Sequence, residues 1–165
     1  MNKYSKIDHL IQILRYAGLK SIKETIETFN FTIVDLNDNC ILHLTARSNR
    51  ISVCEYLISL GIDINKQNYR LRTPLHESVM WNFEYFSEYL LKNGALINTQ
   101  DDEGNTPLHI ASQFGYLKMC NLLWIYGADP NIRNNTGKTF RDITSSEVIR
   151  SLGSGEKTKV CRVIQ

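Results

Sequence analysis

The chain has 165 residues, of which 42% are apolar and 22% charged, a composition that excludes wholesale disorder. A net charge of +2 gives no basis for direct nucleic-acid binding or for attraction to an anionic membrane. No apolar run approaches the roughly 18 residues of a transmembrane helix.

In chain order, residues 1–39 predict a degenerate first unit. Leu10, Ile11, Ile13 and Leu14 share one helical face, Gly18 breaks it, and Ile22, Ile26 and Phe29 resume at helical spacing. Asn30 stands where later units place a glycine. The connection from Asn30 to Cys40 is two residues shorter than its counterparts, which predicts a stunted loop. Residues 40–138 then carry three units in a 33-residue register: Cys40-Ile41-Leu42-His43, Thr73-Pro74-Leu75-His76 and Thr106-Pro107-Leu108-His109. Each is followed by an apolar helix closed by Gly61, Gly94 or Gly127, also 33 apart, where a residue without a Cβ accepts positive φ. Residues 139–152 open on Thr139 but continue Phe140-Arg141-Asp142, and Phe140, Ile143, Val148 and Ile149 suffice to cover the preceding unit. They predict a C-terminal capping half-unit. Residues 153–165 are short, Gly/Ser-rich and then basic, the composition of a mobile tail.

The tetrapeptide has a physical logic. Thr73 and Thr106 suit a helix N-cap, and Pro74 and Pro107 suit the first helical turn, where a missing N–H costs nothing. A 33-residue period on this tetrapeptide identifies the chain as resembling the ankyrin family from about Asp38 to Asp142. The resemblance implies an all-α solenoid of helix-turn-helix units with β-turn fingers, in which the histidine ties its own turn to a neighbouring loop.

Three histidines at one spacing invite a metal reading. Stacked one per unit they lie about 8 to 10 Å apart. A zinc ion reaches only about 2 Å to each imidazole nitrogen, so no metal is expected. Gly137-Lys138-Thr139 and Gly153-Ser154-Gly155-Glu156-Lys157-Thr158 resemble phosphate-loop fragments, but Ile132 replaces the leading glycine of one and Glu156 sets a negative charge beside the lysine of the other. No cofactor is expected. Cys40, Cys54, Cys120 and Cys161 form no C-x-x-C pair and read as free thiols in a reducing compartment. No nucleophile and base, or paired carboxylates, stand outside positions the repeat explains, so the chain does not read as an enzyme.

The positions left over line the family's concave face: Tyr69, Arg70, Arg72, Met80 and Trp81, then Asp102, Glu103, Asn105, Gln113 and Phe114, with Leu36, Asn37, Asn39, Arg47 and Ser48 in the preceding unit. Tyr, Trp and Arg are hot-spot types. Trp81 and Tyr69 either stand free or pack on neighbouring units, whereas Arg70 and Arg72 are expected to be exposed. Leu71 occupies the finger register of Gly104 and Gly137, which predicts a finger of different shape.

Thr73 to Met80 and Gly104 to Ala111 also resemble the middle repeats of the inhibitors of NF-κB. No serine pair in an acidic N-terminal segment and no acidic Pro/Ser/Thr-rich tail accompanies them, an outline similar to virus-encoded members of that class. The resemblance implies a monomeric, cytoplasmic or nuclear protein that binds a Rel-homology transcription factor and suppresses host immune signalling. The alternative is a generic adaptor or host-range protein that recruits a target to another complex such as a ubiquitin ligase.

Overall fold

The computed structural model describes residues 12–14, 16–28 and 38–144. Within them the chain is an all-α stack: α1 (Leu19–Thr28), α2 (Ile41–Arg47), α3 (Ile51–Ser59), α4 (Pro74–Met80), α5 (Glu84–Lys92), α6 (Pro107–Gln113), α7 (Leu117–Ile125) and α8 (Phe140–Ile143). The first helices form one layer, α2 on α4 on α6 on α8, and the second helices back them, with α1 against α3 and α5 against α7.

Each first helix begins as the tetrapeptide dictates. Thr73 and Thr106 are extended N-cap residues with proline in the first turn behind them. α2, α4 and α6 are short because each closes in a Schellman motif, with Asn49, Asn82 or Gly115 at positive φ. In α4 this closure is Asn82 N–H to the Val79 carbonyl and Phe83 N–H to the Ser78 carbonyl, both 2.9 Å. α3, α5 and α7 close likewise, as in α5, where Gly94 N–H reaches the Leu91 carbonyl at 3.2 Å and Ala95 N–H the Leu90 carbonyl at 3.0 Å. Gly61, Gly94 and Gly127 all take positive φ, as expected.

The core repeats with the same register. Leu42, Leu75 and Leu108 are buried on the first helices, and Leu57, Leu90 and Leu123 on the second, each side chain worth about 1.5–3 kcal/mol of burial. Between the layers of the middle unit, Ser78 and Ser87 satisfy one another at 2.8 Å. Leu14, Ile22 and Ile26 are buried and belong to the same core. Its Leu10, Ile11, Phe29 and Asn30 and the shortened connection as far as Asn37 lie outside the described residues, as do Val148, Ile149, the tail and Cys161. Phe140, the described anchor of the capping half-unit, is buried beside Trp124, ring centroids 6.1 Å apart.

Candidate interaction face

The face is built on fingers, the loops between one unit's second helix and the next unit's first helix. Asn68, Asp101 and Asn134 organise them at 33-residue spacing. The Asp101 Oδ1 accepts from the N–H groups of Glu103 at 3.0 Å and Asn105 at 2.8 Å, and its own N–H donates to the Asn105 carbonyl at 2.9 Å. The other two fingers repeat this pattern. Neighbouring fingers join by one rung each: Asp102 N–H to the Arg70 carbonyl at 2.9 Å, and Asn135 N–H to the Glu103 carbonyl at 3.0 Å.

A second ladder lies beneath. His43, His76 and His109 direct Nε2 at the carbonyls of Arg72, Asn105 and Lys138, at 2.8, 3.2 and 3.1 Å. A carbonyl only accepts, so Nε2 carries the proton and Nδ1 is left as the acceptor for the N-cap N–H. That bond is 3.1 Å from Thr73 and 3.2 Å from Thr106. Both ring nitrogens of each histidine are thus engaged within the fold. Burial is the main cause that lowers His76 to about 4, and burial also lowers His109.

In the third case the N-cap is Cys40, whose N–H and Sγ lie 3.2 and 3.1 Å from His43 Nδ1. The contact has the look of a thiol and its base. Burial instead pushes the Cys40 thiol up, and pushes Cys54 up to about 12, which leaves both protonated at neutral pH.

Above these ladders the structure sorts the predicted face residues into two groups. Arg70 and Arg72 are not the exposed pair expected from sequence. Arg70 reaches Asp102 at 3.2 Å and Glu103 at 2.6 Å, and Arg72 reaches the fully buried carboxylate of Asp101 at 3.4 Å. Asn105 is buried as well, and its side chain accepts from Asn134 at 2.9 Å. Arg47 pairs with the buried Glu77 of the next unit at 3.6 Å.

The aromatic members are exposed, while Met80 is half-buried against the core. Tyr69 is 60% exposed, Trp81 51% and Phe114 52%. Trp81 and Phe114 occupy the same C-cap position one unit apart, where the helix uses only their backbone. They flank a supported patch. Phe114 stacks on Tyr116 at 5.5 Å, Tyr116 Oη donates to the Met80 carbonyl at 3.5 Å, and Arg72 Nη1 approaches Met80 Sδ at 3.8 Å. Gln113 is exposed beside Phe114.

The structure adds Leu71 to the exposed apolar residues of the fingers. Leu71 is 47% exposed and takes φ 54°, so its finger does not differ in shape as expected but keeps the same hydrogen bonds. The cost of a left-handed leucine, about 1–2 kcal/mol, is less than that of dismantling the finger. The only prior signal was its place in the glycine register.

A family model described as ankyrin repeats (3 copies) matches residues 42–134, more than half of the chain. The chain belongs to the ankyrin-repeat family. An ankyrin array is a protein–protein interaction module, and the patch around Met80 and Trp81 lies inside the matched repeats. No curated relative matches the chain. Among the described residues of this ankyrin array no three metal-ligating side chains converge, and no helix is long and apolar enough to cross a membrane.

The pairing of Arg70 carries a modest prediction. Its guanidinium and both partner carboxylates are at least one third exposed, so Arg70→Ala is expected to cost only about 0.5 kcal/mol, less at high salt. Urea midpoints at two ionic strengths check this.

Proposed function

We propose that this ankyrin protein acts by occupying another protein through the finger tips and first-helix ends, and that the partner is a Rel-homology transcription factor whose nuclear import or DNA binding is thereby blocked. The observation that carries the binding reading is the exposure of Tyr69, Trp81 and Phe114 at positions whose side chains the repeat does not need. The choice of partner is supported by the likeness of the segments Thr73 to Met80 and Gly104 to Ala111 to inhibitors of NF-κB. On this reading the protein works as a monomer wherever its partner resides, in the cytoplasm or the nucleus.

Replacing Tyr69, Trp81 and Phe114 together with alanine is expected to weaken binding to a purified Rel-homology domain by more than about a hundredfold, since hot-spot truncations cost about 2 kcal/mol each. The melting temperature should move by only a few degrees, because these side chains lie outside the core. Unchanged affinity in the triple variant overturns the face. Failure of the unaltered protein to bind any Rel-homology domain at micromolar concentration overturns the choice of partner.

A further inference from the structure

The tip positions Asp38, Leu71, Gly104 and Gly137 share a left-handed backbone, with φ of 53°, 54°, 75° and 76°. Glycine adopts it without penalty, and aspartate tolerates it through its short polar side chain. Leucine has neither excuse. Its isobutyl group is absent from the core and from the half-buried side chains packed on it, while its N–H and C=O make bonds that glycine would make equally well. The fold carries strain here while leaving nearly half of the leucine in solvent and none of it in the core, which marks a side chain whose use lies outside the fold.

The charges beside it are also unevenly settled. Arg72 is matched by Asp101 and Arg47 by Glu77, but Asp102 and Glu103 share the single guanidinium of Arg70. Both carboxylates remain accessible, their side chains 38% and 56% exposed. Tyr69 and Leu71 lie on the finger that this one joins through the Asp102 N–H to Arg70 carbonyl rung, so they border a finger with one negative charge in excess.

We propose that Leu71 is a specificity-determining anchor of the binding face, and that the partner segment it grips carries an apolar residue flanked by a lysine or arginine. The apolar residue covers Leu71 and Tyr69, and the flanking cation meets Asp102 and Glu103. The inference rests on the reading of this face as the binding face, but not on the partner being a Rel factor.

The test pans a displayed random-peptide library on the full chain and measures the enriched peptides against three proteins: the unaltered chain, Leu71→Gly, and Asp102→Asn combined with Glu103→Gln. Enriched peptides are expected to pair apolar residues with Lys or Arg, to lose at least about tenfold in affinity for Leu71→Gly, and to lose most of their salt dependence against the double variant. Leu71→Gly is expected to melt no lower than the unaltered chain, because relieved strain offsets the added freedom of the unfolded glycine. A lower melting temperature would make Leu71 a structural residue and overturn the proposal. So would the absence of enrichment, peptides without basic residues, or peptides indifferent to Leu71→Gly. A Rel-homology domain measured in parallel separates the two readings: if it fails to bind while the peptides behave as described, only the choice of partner falls, and if it binds both proteins equally, only the anchor falls.

Discussion

Acidifying the protein from pH 7 to pH 4 is expected to remove about 3 kcal/mol of stability through His76 alone. The ring is held to about 4 in the folded protein, against 6.5 for an ordinary histidine, and burial is the main cause. Below pH 6.5 the unfolded chain therefore binds a proton that the folded chain refuses. Each unit of that gap is worth about 1.36 kcal/mol, so stability is whole above pH 6.5, falls as the pH drops, and has lost the full amount once it passes the folded value near 4. Geometry explains the refusal. A proton on Nδ1 would face the Thr73 N–H at 3.1 Å and break the N-cap from within. His109, also lowered by burial, acts in the same direction. Glu88, held below the usual carboxylate range chiefly by Lys92, and Asp142, held there by Thr139, add further losses only at lower pH. Urea midpoints at pH 7, 6, 5 and 4 measure the slope. His76→Ala should cost about 3 kcal/mol at pH 7 by orphaning the Asn105 carbonyl and opening a cavity, and should flatten much of the slope between pH 6.5 and 4. A flat profile in the unaltered protein would disprove the neutral, doubly bonded histidine.

Those histidines show what the sequence makes legible. Their spacing announces one repeated environment, and Thr-Pro before them announces a helix start, because both features are local. The glycine register is legible for the same reason. Asn49 and Asn82 stand 66 and 33 residues before Gly115 and share its positive φ, but the glycine register alone does not point to them, because asparagine reaches the left-handed region through its short polar side chain. Leu71 was misjudged for a different reason: a single-residue steric rule foresees the strain but not the finger hydrogen bonds that outweigh it. The fate of Arg70, Arg72 and Asn105 was not legible from residue type. Each is matched by a residue 29 to 33 positions onward, on the next finger, and only the stacking offset between fingers decides that they meet. The exposed aromatics were found by subtraction, which works because the repeat declares the positions it needs.

Two glycines with similar backbones should respond very differently to valine. Gly94 has φ +92° and nothing within 4 Å of where a Cβ would stand, so Gly94→Val meets only the backbone penalty of a β-branched residue in the left-handed region, about 1–2 kcal/mol. Gly104 has φ +75°, but its Cβ would stand 2.5 Å from Asn135 Oδ1 and 2.6 Å from Asn135 N. The side-chain oxygen can rotate away. The nitrogen cannot, since it belongs to the rung that donates to the Glu103 carbonyl at 3.0 Å. Relief therefore requires the Gly104 backbone and the last finger to shift against one another, which strains both this rung and the 2.9 Å bond from Asn135 Nδ2 to the Asp102 carbonyl. Adding a weakened rung to the conformational penalty puts Gly104→Val at about 3 kcal/mol. Leu71 shows that a Cβ at this register is survivable where the next finger offers Asp102, whose carboxylate turns to Arg70 instead. The difference at Gly104 is set by Asn135, so Asn135→Gly in the Gly104→Val background should restore part of the loss and leave the contact with the backbone nitrogen. Chemical denaturation of the four proteins measures it, and equal losses for Gly94→Val and Gly104→Val would show that the finger contact carries no weight.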